Sequence, residues 1–165
     1  MGLRPQNKYT AVIDPRYTRA ERNVIAFAII EFIQKRTAKG QGIGGKAFRN
    51  SAGQTKYTDS YTETREYKIA GKSQGRINLE LSGDMLDSIE VLDINIAGRV
   101  VIGYNNDDEN DKSVFMREKG YDFLGLSNQE LNNVLAQVGS PSQQDDRTTI
   151  APGLVQSLVR SILGG

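Results

Sequence analysis

The densest apolar stretch of the chain runs from Val24 to Ile33, where nearly every position is apolar and Glu31 is the exception. Ten such residues cannot cross a bilayer, so the pattern predicts a buried helix, lying on a sheet or between subunits. Two start signals compete ahead of it. One is Asp14-Pro15; the other is the capping box Thr18-Arg19-Ala20-Glu21, in which a hydroxyl and a carboxylate satisfy exposed backbone N–H groups. The helix is expected to end between Thr37 and Gly40.

Period two takes over further on. Tyr61, Glu63, Arg65 and Tyr67 share one parity, which fits an edge strand with Ile69 behind it. Leu79 and Leu81 alternate with Asn78 and Glu80 and predict a short strand, broken at Ser82-Gly83-Asp84. Met85, Leu86 and Ile89 return to helical spacing for one turn. A β-hairpin follows: Leu92, Ile94 and Ile96 alternate with Asp93 and Asn95, Ala97-Gly98 makes the turn, and Val100, Ile102 and Tyr104 share one face of the return strand. Ser113 to Lys119 predicts a short helix ended by Gly120. Ser127 caps a last helix, with Glu130 completing a capping box and Leu131, Val134, Leu135 and Val138 on its buried face.

This order predicts an α+β fold: a small, mostly antiparallel sheet with a long N-terminal helix and a second helix packed on it, and extended N- and C-terminal arms. The expected organisation is an arm over 1–14, a single α+β domain over 15–138, a linker over 139–152 and an amphipathic arm over 153–165. Gly139 to Thr149 is made largely of Ser, Gln, Asp and Pro with no apolar residue, which reads as a linker. Beyond it Leu154/Val155, Leu158/Val159 and Ile162/Leu163 recur every four residues. A helix of about three turns does not stand alone in water, so these six residues are candidate subunit or partner contacts.

Composition narrows the chemistry. A chain of 165 residues is a single-domain length. It has no Cys and no His, which removes disulfides, thiolate chemistry and the usual general base and metal ligand together. No catalytic residue, metal site or cofactor is expected; an enzyme would have to use carboxylates such as Asp84 and Asp87, three apart and more simply the polar face of a helical turn. The N-terminus lacks the apolar core of a signal peptide and no stretch is long enough for a span, so a soluble protein made in a reducing cytoplasm, with no membrane partner, is expected. The near-zero net charge hides an asymmetry: Met1 to Arg76 carry 15 Lys and Arg against 6 Asp and Glu, and Ile77 to Gly165 carry 6 against 14.

Three stretches invite ligand proposals. Gly40 to Ala47 satisfies G-x-G-x-x-G and most of a P-loop pattern, but it follows a helix where phosphate binding needs a preceding strand, and Ala47 has no hydroxyl for Mg²⁺; a flexible loop is expected. The acidic run Asn105 to Asp111 fails EF-hand spacing, with Asn110 and Met116 where Gly and Glu are required, and is expected as a solvated loop. The segment 46–76 interleaves Tyr57, Tyr61 and Tyr67 with Lys46, Arg49, Lys56, Arg65, Lys68, Lys72 and Arg76. These seven cations are the candidate DNA-facing residues, since Lys and Arg meet phosphates and tyrosines stack on bases; a solvated loop and edge strand explains them as well.

Two blocks carry a family resemblance. Asn78 to Ile89, N-L-E-L-S-G-D-M-L-D-S-I, resembles the L-x-L-[ST]-G-x-M/L-x-x-S block of tailed-bacteriophage virion proteins of the neck and tail-completion type, the Mu-like virion morphogenesis proteins among them. Tyr121 to Glu130, Y-D-F-L-G-L-S-N-Q-E, is similar to their R-x-F-L-G-L-S-x-x-[DE] segment, with Tyr121 where the family has Arg. The resemblance covers roughly Phe48 to Val138. It implies a non-enzymatic structural protein of the virion, assembled in the host cytoplasm as a homo-oligomeric ring of sixfold or twelvefold symmetry. Its partners would be itself, the adjacent neck, portal-side and tail-tube proteins, and packaged DNA passing through the channel. Connector, terminator and tail-completion roles stay open. The opposite charges of the two halves of the sequence suit a ring, in which each subunit presents one flank to the other flank of its neighbour. The alternative is a small cytoplasmic module binding nucleic acid without sequence preference through the Lys46–Arg76 segment.

Overall fold

The structure is a computed structural model that describes residues 3–70, 76–79 and 83–142. Three strands form its sheet in the order β1-β3-β2, with β1 Tyr9–Val12, β2 Glu90–Ile94 and β3 Arg99–Gly103, and both pairings are antiparallel. The helices are α1 Arg19–Ala38, α2 Asp59–Thr62, α3 Arg65–Ile69, α4 Asp84–Asp87, α5 Asp107–Glu118 and α6 Asn128–Val138, with a 3₁₀ turn at Ile43–Gly45. This is the α+β class expected from the sequence. Among the described residues no helix is long and apolar enough to cross a membrane.

The capping box wins the competition to start α1. Thr18 accepts from the Glu21 N–H at 3.2 Å while the Glu21 carboxylate accepts from the Thr18 N–H at 2.8 Å. The helix is apolar on most sides because most of it is covered: its residues pack on β2 and β3 on one side and on α6 on another, with Phe27 left exposed. Ile25, Ile29 and Ile33 are fully buried, together with Val100 and Ile102 of the central strand. Gln34 ties α1 to α4 by donating to the Leu86 carbonyl at 2.9 Å.

Four expectations are corrected. The N-terminal segment is not a detached arm: β1 pairs with β3 from Tyr9↔Ile102 to Val12↔Arg99. Ahead of β1, Arg4 bridges Asp107 and Asp111 of α5 at 2.7 and 2.9 Å, the Asn7 backbone N–H donates to Asn110 Oδ1, and the Asn7 Nδ2 donates to the Ser113 hydroxyl. Of the acidic run expected as a loop over Asn105 to Asp111, Asp107 to Asp111 belong instead to the twelve-residue α5. Asn106 caps it, and its first-turn carboxylates sit where the helix dipole favours negative charge.

In β2 the register shifts between Val91 and Asp93, so Val91 and Ile94 pack into the core and Leu92 lies over Gly103 instead. One inserted residue reverses the alternation that placed Leu92, Ile94 and Ile96 on one face. Ile96 sits on the turn and is 81% exposed. That turn is organised by the Asn95 side chain, which accepts from the N–H groups of Ala97 and Arg99, and by Gly98 at φ 85. A Cβ on Gly98 would collide with the Ile13 carbonyl, which is where β1 leaves the sheet.

The fourth correction concerns the two strands expected in the middle of the chain, and it builds the site described next.

Candidate functional site

Residues 58–70 are two short helices rather than an edge strand. Thr58 and Thr64 precede them in extended conformation, and the Thr64 hydroxyl accepts from the Tyr67 N–H at 3.3 Å. Coiling brings Tyr57, Tyr61 and Tyr67 together, with ring centroids 5.0 to 5.6 Å apart. A strand would have held Tyr61 and Tyr67 about 20 Å apart. Burial raises the pKa of the Tyr57 and Tyr61 hydroxyls, so both stay protonated at neutral pH.

The strand expected over Leu79 and Leu81 does not form across its described part, Arg76 to Leu79. Leu79 has φ 56, a left-handed conformation no strand contains, and the Tyr57 hydroxyl accepts from the N–H groups of Asn78 and Leu79 at 3.3 and 3.2 Å. The two amides that a ladder would use are taken by a side chain. Ile77 and Leu79 are nonetheless buried.

These pieces enclose a cleft of about 440 Å³. Tyr57, Tyr61 and Tyr121 wall it, Ile77, Leu79 and Met116 add aliphatic surface, and Phe115 of α5 borders it while 52% exposed. Arg49 and Lys119 line it as its cations. Arg49 sits on a loop shaped by Asn50, whose Oδ1 accepts from the N–H groups of Ala52 and Gln54 and whose Nδ2 donates to the Lys56 carbonyl. One Arg49 nitrogen donates to the Gly53 carbonyl at 2.7 Å. The Lys119 ammonium lies 5.2 Å from the centre of the Phe115 ring.

The candidate DNA-facing residues are therefore dispersed. Lys46, Arg49, Lys56, Arg65, Lys68 and Arg76 are all exposed, but of these Arg49 alone lines the cleft. Arg76 reaches back to the Lys39 carbonyl at the end of α1, at 3.0 Å. Lys72 lies outside the described residues, as do Leu154, Val155, Leu158, Val159, Ile162 and Leu163.

The Gly-rich loop does cradle an anion, and the anion is the chain's own. Glu130 Oε2 accepts from the Gly44 N–H at 3.0 Å, from the Ser127 N–H at 2.8 Å and from the Arg36 guanidinium at 3.0 Å. Arg36, 5% exposed, also donates to the Phe123 and Gly125 carbonyls at 2.6 and 2.9 Å. Burial pushes the Glu130 carboxyl up, but the N–H bonds from Ser127 and Gly44 and the Arg36 charge outweigh it and hold the pKa below the ordinary glutamate value. Burial also works against the Arg36 charge, and Glu130 offsets part of that; the guanidinium stays ionised because arginine starts above about 12. The loop expected to be flexible is tied down: the Ile43 N–H donates to the Asp122 carbonyl at 3.0 Å and the Gly42 N–H to the Lys46 carbonyl at 2.8 Å, and a Cβ on Gly42 would lie 2.5 Å from the Asp122 oxygen.

Arg36 was not singled out in the sequence. Its signal was there: it continues the buried spacing of Ile29 and Ile33 by a further helical step, a charge where the pattern demands an apolar residue. The Tyr57 hydroxyl had no such signal, because its partners are backbone amides. Among the described residues no three carboxylates gather as a metal site; Asp107 and Asp111 are bridged by Arg4.

No protein-family model, curated protein or solved structure matches the chain.

Proposed function

We propose that the chain is a non-enzymatic structural subunit of a tailed-phage particle, assembling with its own copies into a ring in the neck between head and tail. The observation that carries the reading is the pair of sequence blocks that resemble neck and tail-completion proteins, at 78–89 and 121–130. What supports it further is that described apolar residues of both blocks enter one core: Leu79, Met85, Leu86 and Ile89 from the first, Phe123, Leu124 and Leu126 from the second. The shared letters thus specify packing and the seat of Arg36. A resemblance of that kind speaks for a common architecture rather than a common reaction.

Two further features suit assembly. The three-stranded sheet has β1 and β2 at its edges, and open edges are places where chains meet. Val12, Ile69, Ile96 and Phe115 are apolar and each more than half exposed. The nucleic-acid alternative is less well served, since its tyrosines pack on one another. Sedimentation and negative-stain microscopy of the purified full chain test the proposal: closed rings are expected, and a chain that stays monomeric at tens of micromolar overturns it. Deleting the gene should then leave filled heads lying apart from finished tails.

A further inference from the structure

The tyrosine cleft has apolar walls, cations at its rim and a volume that suits a few side chains. Its rings are already engaged: Tyr57 and Tyr61 with each other and with Tyr67, Tyr121 edge-on to Phe48 at 5.7 Å, Phe115 beneath Lys119. Rings so held form walls rather than the open platform on which a base stacks. Among the described residues no carboxylate lines the cleft, so within that part of the chain Arg49 and Lys119 face it without an acidic partner there. The chemistry it suits is aliphatic side chains next to carboxylates.

The chain contains that chemistry beyond its described domain. After Ser142 the sequence continues Gln-Gln-Asp145-Asp146-Arg-Thr-Thr-Ile150-Ala-Pro-Gly-Leu154-Val155. Two carboxylates are followed within ten residues by aliphatic side chains.

Reach decides whose cleft can take this segment. Ser142 donates its N–H to Glu21 in the first turn of α1 at 2.8 Å, and the Gly139 carbonyl accepts from the Tyr17 hydroxyl at 2.7 Å. The cleft lies near the other end of that helix, where the Phe48 N–H meets the Gly40 carbonyl at 2.9 Å and Tyr121 packs on Phe48. A helix the length of α1 spans about 30 Å. The four residues from Ser142 to Asp146 extend about 14 Å at most. Asp145 and Asp146 therefore fall short of the Arg49 and Lys119 of their own chain and can meet those of another copy.

Resting on the ring reading above, we propose that the segment beginning at Asp145 of one copy docks in the tyrosine cleft of the next, with Asp145 and Asp146 on Arg49 and Lys119 and its aliphatic residues between the tyrosine wall and Phe115. The contact is heterologous, one patch meeting a different patch, and so propagates around a ring.

The test uses the full chain with a photo-reactive benzophenone side chain in place of Phe115. Light and ¹⁵N-labelled chains are mixed before assembly, irradiated and digested, and cross-linked peptides are read by mass spectrometry. Cross-links from position 115 to the 143–158 region that join one light and one heavy chain are expected. In parallel, Arg49→Glu with Lys119→Glu should weaken assembly about tenfold, Asp145→Lys with Asp146→Lys should do the same, and combining all four should restore most of it. Cross-links joining only like-labelled peptides, or landing elsewhere, overturn the inference while rings persist. Displacement of the cross-link by single-stranded DNA at low salt gives the cleft to nucleic acid and overturns it too. A wild-type chain that never assembles overturns the ring reading with it.

Discussion

The Arg36–Glu130 pair and the tyrosine cleft lie toward the same end of α1, and each borders a cavity of several hundred Å³, yet one closes its charges on each other within the chain and the other leaves them open. At the pair, a single carboxylate oxygen accepts three N–H groups, and the guanidinium holds two carbonyls of the Phe123–Gly125 segment. Its charge is consumed within the chain. At the cleft, Arg49 spends one nitrogen on Gly53 and Lys119 rests on a ring, while parts of Tyr61, Phe115, Met116 and Tyr121 stay accessible between them. A pair of charges matched in the interior fixes a fold and leaves little of its charge for a ligand; cations beside accessible apolar surface have more.

The comparison breaks most visibly at the closed site. Arg36→Ala leaves a buried carboxylate without its cation, and Glu130→Ala leaves a buried guanidinium and two N–H groups without their acceptor; each should lower stability by about 3–5 kcal/mol in urea denaturation. Removing both partners together as Arg36→Met with Glu130→Gln should cost less than either single truncation, because no orphaned charge remains. A merely exposed pair would give under about 1 kcal/mol instead.

The same site sets an acid limit. A carboxyl whose folded pKa is depressed contributes stability that is complete above its unfolded pKa and is lost as pH falls through the folded one. Glu130 is such a group. The stability gap between the wild type and Glu130→Gln should therefore be constant near neutrality and shrink as pH drops below the unfolded glutamate value of about 4.3. A gap that widens on acidification would show that Glu130 is not held ionised by Ser127, Gly44 and Arg36.

Half of the closed site was legible in the sequence. Ser127 and Glu130 are three apart ahead of an apolar face, a local signal, and the helix and its cap follow from it. Arg36 sits 94 residues from Glu130, and no spacing rule relates them. The cleft was legible only in its ingredients. Tyr61 and Tyr67 have the parity of a strand, and the local signal for the two turns is slight, a cap from the Thr64 hydroxyl to the Tyr67 N–H; the mutual packing of three rings and a hydroxyl that takes two backbone amides add to it. The hairpin was found but misfaced, because a one-residue bulge is invisible to an alternation count until both strands are aligned.

Tyr57→Phe gives a middle-sized effect and tests how the cleft is held. It keeps the ring and removes the acceptor of the Asn78 and Leu79 amides, so a loss of about 1–2 kcal/mol is expected. Amide exchange at Asn78 and Leu79 should rise above that of the core strands in the same variant. If exchange rises equally everywhere, the hydroxyl contributes to global stability without shaping the cleft.

The smallest effect is the one that defines the open site. Arg49 and Lys119 are exposed side chains whose contacts within the chain are one carbonyl and one ring face. Reversing both to Glu should change urea stability by no more than about 0.5 kcal/mol apiece, the range for surface substitutions away from caps and cores. That near-silence separates the cleft from the pair: cations that can be reversed without cost to the fold, in a protein that buries Arg36 against Glu130, leave their charge available to a partner outside their own domain. If reversal instead destabilises the isolated chain as strongly as Arg36→Ala, the two regions are alike, and the cleft is one more seam of the core.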